Sequence, residues 1–188
     1  VIWTDVDGVL TADPRLVPGA RLLPRLSYRE AAEMTYFGAK VLHFPAVLPA
    51  IAAKIPLVIR NSFAPDGPGT TISEKGDPRP GIRAVTAVSG LCLLSLDGKG
   101  MSGVPGIAAR VFATTARLGV SVVMFSQASS EQNIALVFPE ADRDRTAAAL
   151  EQEFRYEKLV GAIDGVATRS PIAVVAAVGD GMRGTVGI

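Results

Sequence analysis

Short apolar runs closed by glycine, proline or polar turns alternate along this chain with stretches whose apolar positions recur at helical spacing. Val1–Thr4 predicts a short strand. Ser27-Tyr28-Arg29-Glu30 has the spacing of a capping box, with Ser27 capping and Glu30 reaching back. The helix it opens runs to about Phe37, with Ala31, Met34, Thr35 and Gly38 at helical spacing and Gly38 as its stop. Pro45 opens a second short helix through Ala53, and Ile55–Arg60 reads as an apolar strand. From Asn61 to Gly81 prolines and glycines crowd the chain, which is loop or linker chemistry and puts a domain boundary near residue 76. Beyond it the pattern predicts strands over Ile82–Val88 and Leu91–Leu96, a Gly-rich turn and a helix over Pro105–Leu118. Pro105 suits that helix's first turn and Gly119 its end. Strands follow over Val120–Ser126 and Asn133–Phe138, then a helix over Asp142–Phe154 with Asp142 as N-cap. Lys158–Arg169 is ambiguous, and Ile172–Val178 is a last strand.

One pattern recurs. Gly98-Lys99-Gly100-Met101-Ser102-Gly103 lines up with Gly179-Asp180-Gly181-Met182-Arg183-Gly184, each behind an apolar strand. Such self-similarity points to two related units. The second copy stops where its helix should begin, so the chain reads as a segment of a longer protein. Within the first copy, Ser129-Ser130-Glu131-Gln132 is too short for a crossover, so the strand after it returns antiparallel. The resulting β-α-β-β-α order predicts a ferredoxin-like sheet rather than a run of parallel strands.

Composition narrows the function. The 188 residues suffice for one or two domains with a real core. A net charge of +1, from 19 basic and 18 acidic residues, argues against nucleic-acid or membrane-surface binding by bulk charge. Hydrophobic content is 48%, yet no stretch reaches the ~18 apolar residues of a membrane span; Gly106–Ser126 carries Arg110 and Arg117. No leader-like segment is visible. The single cysteine, Cys92, lies in an apolar strand, rules out an internal disulfide and fits a reducing, cytoplasmic compartment as a packing residue.

Three constellations carry candidate chemistry. The first is the strand end Asp5-Val6-Asp7-Gly8-Val9, which is similar to the opening motif of haloacid-dehalogenase-type phosphatases, with Asp5 as nucleophile and Asp7 as acid/base. Met182-Arg183-Gly184 stands where that family completes its metal site with acidic residues, which counts against the reading. The second is Gly98-x-Gly100-x-x-Gly103, which has the spacing of a dinucleotide fingerprint. Ser126-Gln127-Ala128 offers no ribose-binding carboxylate at the second strand end, so that reading fails. The third is the helix start behind the glycine turn, whose unpaired N–H groups suit a small carboxylate, with the Gln127 amide beside it to read a hydroxyl or an ammonium. An amino acid is the natural ligand of that arrangement. The plain alternative is that the glycines only permit the turn and Gln127 only ties the loop.

Longer motifs identify a family. Trp3-Thr4-Asp5-Val6-Asp7-Gly8-Val9 with Ala12-Asp13-Pro14-Arg15, Leu26-Ser27-Tyr28-Arg29-Glu30-Ala31, Gly38-Ala39-Lys40-Val41-Leu42-His43 and Pro68-Gly69-Thr70-Thr71-Ile72 resemble the C-terminal half of an aspartate kinase catalytic domain. Gly106 with Ala109-Arg110-Val111-Phe112, and Gln127-Ala128-Ser129-Ser130-Glu131, resemble that family's first ACT regulatory domain, and Val178–Arg183 the start of a second. Tyr36-Phe37-Gly38-Ala39 and the Gln127–Glu131 run look closest to threonine-sensitive members, many of them fused to homoserine dehydrogenase.

The resemblance implies an α/β (α+β) chain. Residues 1–76 would end an amino-acid-kinase domain, 77–170 form a βαββαβ ACT domain, and 171–188 begin a second. It implies transfer of the γ-phosphoryl of ATP, with Mg²⁺ brought by the nucleotide, to the side-chain carboxylate of L-aspartate, by positioning and charge neutralisation. Thr4, Asp5, Leu10, Arg15, Lys40 and Val41 would line the nucleotide site; Leu10 stands where relatives often carry Tyr. Arg15 offers a fork for phosphate oxygens and Lys40 a point charge. Phe44 intervenes between His43 and Pro45, where the family has His-Pro directly, and His43 reads as structural. Gly103, Gly106, Ile107, Gln127 and Ser129 would hold threonine (or lysine) as effector. The family's Lys- and Gly-rich phosphate segment and aspartate-binding residues precede the stretch present here, so the chain by itself is expected to have no kinase activity. Exposed ACT strands imply a homodimer or higher assembly.

Overall fold

A computed structural model describes residues 1–38, 43–79, 81–182 and 185–187. The chain divides into two compact units, residues 1–88 with 174–188 and residues 89–173.

The first unit is built on β1 (Ile2–Thr4), β2 (Arg25–Ser27), α1 (Tyr28–Tyr36), α2 (Phe44–Ala52), β3 (Leu57–Asn61) and β4 (Thr70–Ser73). Its sheet runs β1-β3-β4-β2, with β1 parallel to β3, β3 antiparallel to β4, and β4 parallel to β2. The predicted capping box is present: Ser27 Oγ accepts from Glu30 N at 3.0 Å and Ser27 N donates to Glu30 Oε2 at 2.8 Å. The helix so fixed buries Ala31 and Met34 beside Leu26, Ile59 and Ile72.

β4 lies inside the stretch whose prolines and glycines predict a loop. Its Thr70 explains why. That side chain is fully buried, accepts from Val9 N at 2.8 Å and donates to Leu23 O at 2.7 Å. A buried hydroxyl so satisfied anchors a strand despite poor flanking propensity. It also fixes Gly8, at φ +145°, where a Cβ would lie 2.5 Å from Thr70 Oγ1.

The long strand β5 (Ala84–Asp97) leads into the second unit, which contains α3 (Ile107–Arg117), β6 (Met124–Gln127), β7 (Asn133–Pro139), α4 (Arg143–Glu153), α5 (Arg155–Leu159) and most of β8 (Gly165–Val178). The sheet order is β6-β7-β5-β8, with β6–β7 and β7–β5 antiparallel. This is the ferredoxin-like βαββαβ arrangement the sequence predicts, and no crossover follows β6. One face of the sheet is dry: Cys92, Leu94 and Leu96 of β5 and Ile134, Leu136 and Phe138 of β7 pack on Val111, Leu150 and Phe154. Burying Cys92 raises its thiol pKa, as befits a packing residue.

Several boundaries differ from the sequence reading. The runs Ile82–Val88 and Leu91–Leu96 are not two strands, because β5 continues through Gly90 at a φ of +72°. The strand expected from Val120 starts only at Met124. Asp142 stands at the N-cap of α4 but makes no capping bond, since its Oδ1 accepts from Arg145 Nε and Nη2. The ambiguous stretch splits into α5 and the first half of β8, and Ile172–Val178 is the second half of that strand rather than a separate one. Among the described residues no helix is long and apolar enough to cross a membrane.

Candidate functional site

In the first unit, the carboxyl ends of the parallel pair β1 and β3 meet, the place where open α/β sheets put their ligands. Thr4 closes β1 and donates from Oγ1 to Asp5 Oδ1 at 3.1 Å; Asn61 closes β3 and donates from Nδ2 to Asp7 Oδ1 at 2.7 Å. Asn61 Oδ1 also accepts from Phe63 N at 2.9 Å, so this amide orients both an acidic side chain and the loop beyond. Asn61 is a residue the sequence reading passed over, as the first of a proline-rich stretch.

The other predicted nucleotide contacts are spread out. Leu10 forms an isolated antiparallel bridge with Leu22. Arg15 extends its guanidinium into solvent, forked on Asp13 at 3.0 Å (Nε–Oδ1) and 2.7 Å (Nη2–Oδ2), a pairing that raises its pKa further. Lys40 and Val41 lie outside the described residues. His43 stands exposed at the N-cap of α2 and makes no side-chain capping bond.

Asp5 and Asp7 supply hard carboxylate oxygens of the kind Mg²⁺ takes when it arrives on nucleotide phosphates. Among the described residues no group of three or more His, Cys, Asp or Glu forms a protein-only metal cage.

In the second unit an open cavity of about 350 Å³ lies at the start of α3. Gly103, Gly106 and Ile107 line it from the glycine turn and the helix, and Gln127 from the end of β6. Four of the five predicted effector residues thus converge. The fifth, Ser129, sits on the adjoining hairpin and is not among the lining residues. Met101, 2% exposed, is also a lining residue. Gly106 is the N-cap at φ +90° and ψ −4°, a left-handed geometry that leaves the first-turn amides of α3 without a capping side chain. Those amides and the helix dipole form a ready seat for an anion.

A lining residue the sequence reading did not select is Glu131. Its Oε2 accepts from Gly103 N at 2.8 Å, closing the glycine turn against the β6–β7 hairpin. Its backbone has φ +58°, uncommon for a residue with a side chain. The signal was present, a carboxylate ending a polar turn, but its aim across the cavity depends on that backbone conformation.

Comparison with known proteins matches the two parts of the chain separately. Residues 1–61 match the amino acid kinase family, and residues 94–154 match the ACT domain. The bifunctional aspartokinase/homoserine dehydrogenase of Haemophilus influenzae is 41% identical over 189 residues, covering 100% of this chain and 23% of that protein. Among solved structures, aspartate kinase from Clostridium acetobutylicum superposes with a TM-score of 0.84 at 28% identity, covering 99% of this chain and 42% of the other. E. coli aspartokinase III with aspartate and ADP (R-state) gives 0.79 at 31% identity, covering 100% and 41%. The same enzyme with lysine and aspartate (T-state) gives 0.71 at 35%, covering 94% and 38%. The chain therefore spans less than a quarter of that curated relative. The amino acid kinase match over residues 1–61 also removes the phosphatase reading of Asp5 and Asp7.

Proposed function

We propose that this chain, which is similar to aspartokinases along its whole length, is the part of such an enzyme that joins the nucleotide end of the kinase lobe to an amino-acid sensor. The observation that carries the reading is the order in one chain of an amino-acid-kinase segment and an ACT unit with a cavity at its helix start. The reaction is that of the whole protein: an oxygen of the L-aspartate side-chain carboxylate attacks the γ-phosphorus of ATP, the bond to ADP breaks, and 4-phospho-L-aspartate forms. Mg²⁺, when bound, neutralises charge on the phosphates. Thr4, Asp5, Leu10, Arg15, Lys40 and Val41 would line the nucleotide site. Arg15 is the phosphate fork once it exchanges Asp13 for phosphate oxygens.

In this reading the ACT cavity takes L-threonine, with L-lysine as the alternative that the E. coli relative's bound lysine supports. Gly103, Gly106 and Ile107 would seat the carboxylate, Gln127 would read the side chain, and Ser129 would close the hairpin side. The effector would act by binding two states of the enzyme unequally. The bare outer edge of β6 would pair copies into a homodimer, and the enzyme would be cytoplasmic. Residues 1–76, 77–170 and 171–188 would be the kinase end, the first ACT domain and the opening of a second. The recurrence of the glycine turn at Gly179 supports the last of these.

Calorimetry on the purified chain tests the sensor. L-threonine or L-lysine should bind at one site per chain, and Gln127→Ala should weaken L-threonine about tenfold, the loss of one good hydrogen bond. Absence of heat with both amino acids would remove the effector assignment.

A further inference from the structure

The cavity at the start of α3 contains one ionisable side chain, Glu131, among the described residues that line it. Everything else there is backbone, apolar side chain or the Gln127 amide. The charge pattern is therefore bipolar. One wall is the N-terminus of α3, an eleven-residue helix whose capping residue is a glycine with nothing to offer the first amides. The other contributes a carboxylate. A simple anion would meet attraction on the first side and repulsion on the second, whereas a zwitterion meets attraction on both.

The carboxylate is also aimed. Its Oε2 is engaged by Gly103 N at 2.8 Å, which fixes the head of a side chain otherwise exposed to solvent. A carboxylate has two oxygens and about four lone-pair positions, so one backbone bond orients Glu131 and leaves most of its accepting capacity for another donor. The backbone cost of holding Glu131 at φ +58° is accepted at a hairpin where Gly would relieve it, which is how residues with a ligand-facing task are commonly held.

We propose that Glu131 is the receptor for the α-ammonium of the effector, and that it restricts the cavity to α-amino acids over the matching α-hydroxy acids. This rests on the effector reading of the cavity. Gly103 is then a positioning group: its N–H holds Glu131 so that the free oxygen faces a ligand whose carboxylate lies on the first amides of α3.

The test uses isothermal titration on the whole chain with two probes, L-threonine and 2,3-dihydroxybutanoate, in which a hydroxyl replaces the ammonium. The wild-type chain should favour threonine by about 30-fold or more, since a charge-assisted bond is lost with the hydroxy acid. Glu131→Gln, an isosteric change at an exposed position, should weaken threonine about 10- to 100-fold and leave the hydroxy acid unchanged or tighter. Circular dichroism melts confirm that the variant is folded. Threonine binding that survives Glu131→Gln at wild-type strength, or an equal loss for both probes, overturns the assignment while leaving the cavity an effector site. A wild-type chain that binds neither threonine nor lysine overturns the effector reading itself, a different result.

Discussion

Glu30 shows how one side chain can serve two distant parts of the chain. It is 2% exposed, and its two oxygens are divided: Oε2 takes Ser27 N in the capping box, and Oε1 takes Asp180 N at 2.9 Å, from a residue 150 positions away. The first bond is legible in the Ser-x-x-Glu spacing. The second is not, because no local pattern says that the glycine turn after β8 ends on the first turn of α1. A Gln at this position would turn an amide nitrogen toward one of two backbone donors. Glu30→Gln is therefore expected to cost about 1–3 kcal/mol, and Ser27→Ala about 1 kcal/mol. Urea unfolding checks both: the midpoint should fall and the slope stay the same, since neither change alters the surface exposed on unfolding. The contrast with Glu131 is instructive. Both carboxylates accept a backbone amide of a glycine turn, but Glu30 is buried whereas Glu131 lines a cavity.

At the scale of elements, Arg110 holds the helical layer of the second unit together. From the first turn of α3 its guanidinium donates to Glu153 Oε1 at 2.9 Å and Glu153 O at 2.7 Å, pairs with Glu157 of α5, and lies 4.4 Å from the centre of the buried Phe154 ring. Arg117, about two turns further along α3, pairs with the same Glu153 at 2.9 Å. Hydrogen bonding from Arg110 is the largest effect on both carboxyls and holds each below its usual pKa; the guanidinium is raised in return. Depressed carboxyl pKa values contribute stability that is complete above the ordinary range, near pH 4.5, and is lost as the pH falls through the lowered values. Arg110→Met should keep the packing on Phe154 and remove the charge. The expected result is a loss of about 1–2 kcal/mol at pH 7 and a shallower acid limb below about pH 4.5, read from melting temperature against pH. A variant whose acid limb matches the wild type would show that these carboxyls are protonated without consequence. None of this network follows from spacing alone: the helix was legible from its apolar face, but which cation meets which carboxylate depends on how α3, α4 and α5 lie together.

At the scale of the whole chain, the fold was legible wherever period and punctuation agreed. The β-α-β-β-α order followed from apolar runs, a helix bracketed by Pro105 and Gly119, and a hairpin too short for a crossover. It failed where glycine and proline carried two meanings. Gly90 punctuates the pattern yet sits inside a strand, and the glycines near Thr70 flank a strand held by one buried hydroxyl. The cavity at the start of α3 was likewise legible in the parts that depend on backbone chemistry, Gly103, Gly106 and Ile107, and in Gln127 at a strand end. It was illegible in Glu131, whose place in the lining goes with a left-handed backbone at φ +58°.

Assembly is the remaining property that the sheet itself argues. β6 is the outer strand of its sheet, so among the described residues one row of its N–H and C=O groups has no strand beside it. All four of its residues are exposed, including Met124 at 46% and Phe125 at 60%, and Phe125 is braced edge-on by Phe112 at 5.0 Å. Proteins that stay monomeric tend to blunt such an edge with charge, proline or a bulge, and β6 carries none of these in Met124-Phe125-Ser126-Gln127. Pairing two β6 edges would cover both apolar side chains and fix Gln127, the last residue of the strand, at the wall of the cavity it lines. The chain of 19.6 kDa should therefore sediment as a dimer at micromolar concentration, and Phe125→Lys should shift it to the monomer. If the edge also steadies Gln127, the same variant should weaken L-threonine several-fold in calorimetry without lowering the melting temperature of the second unit. A wild-type chain that sediments as a monomer at every concentration would mean that β6 is left bare for some other reason, and a Phe125→Lys dimer would place the contact elsewhere.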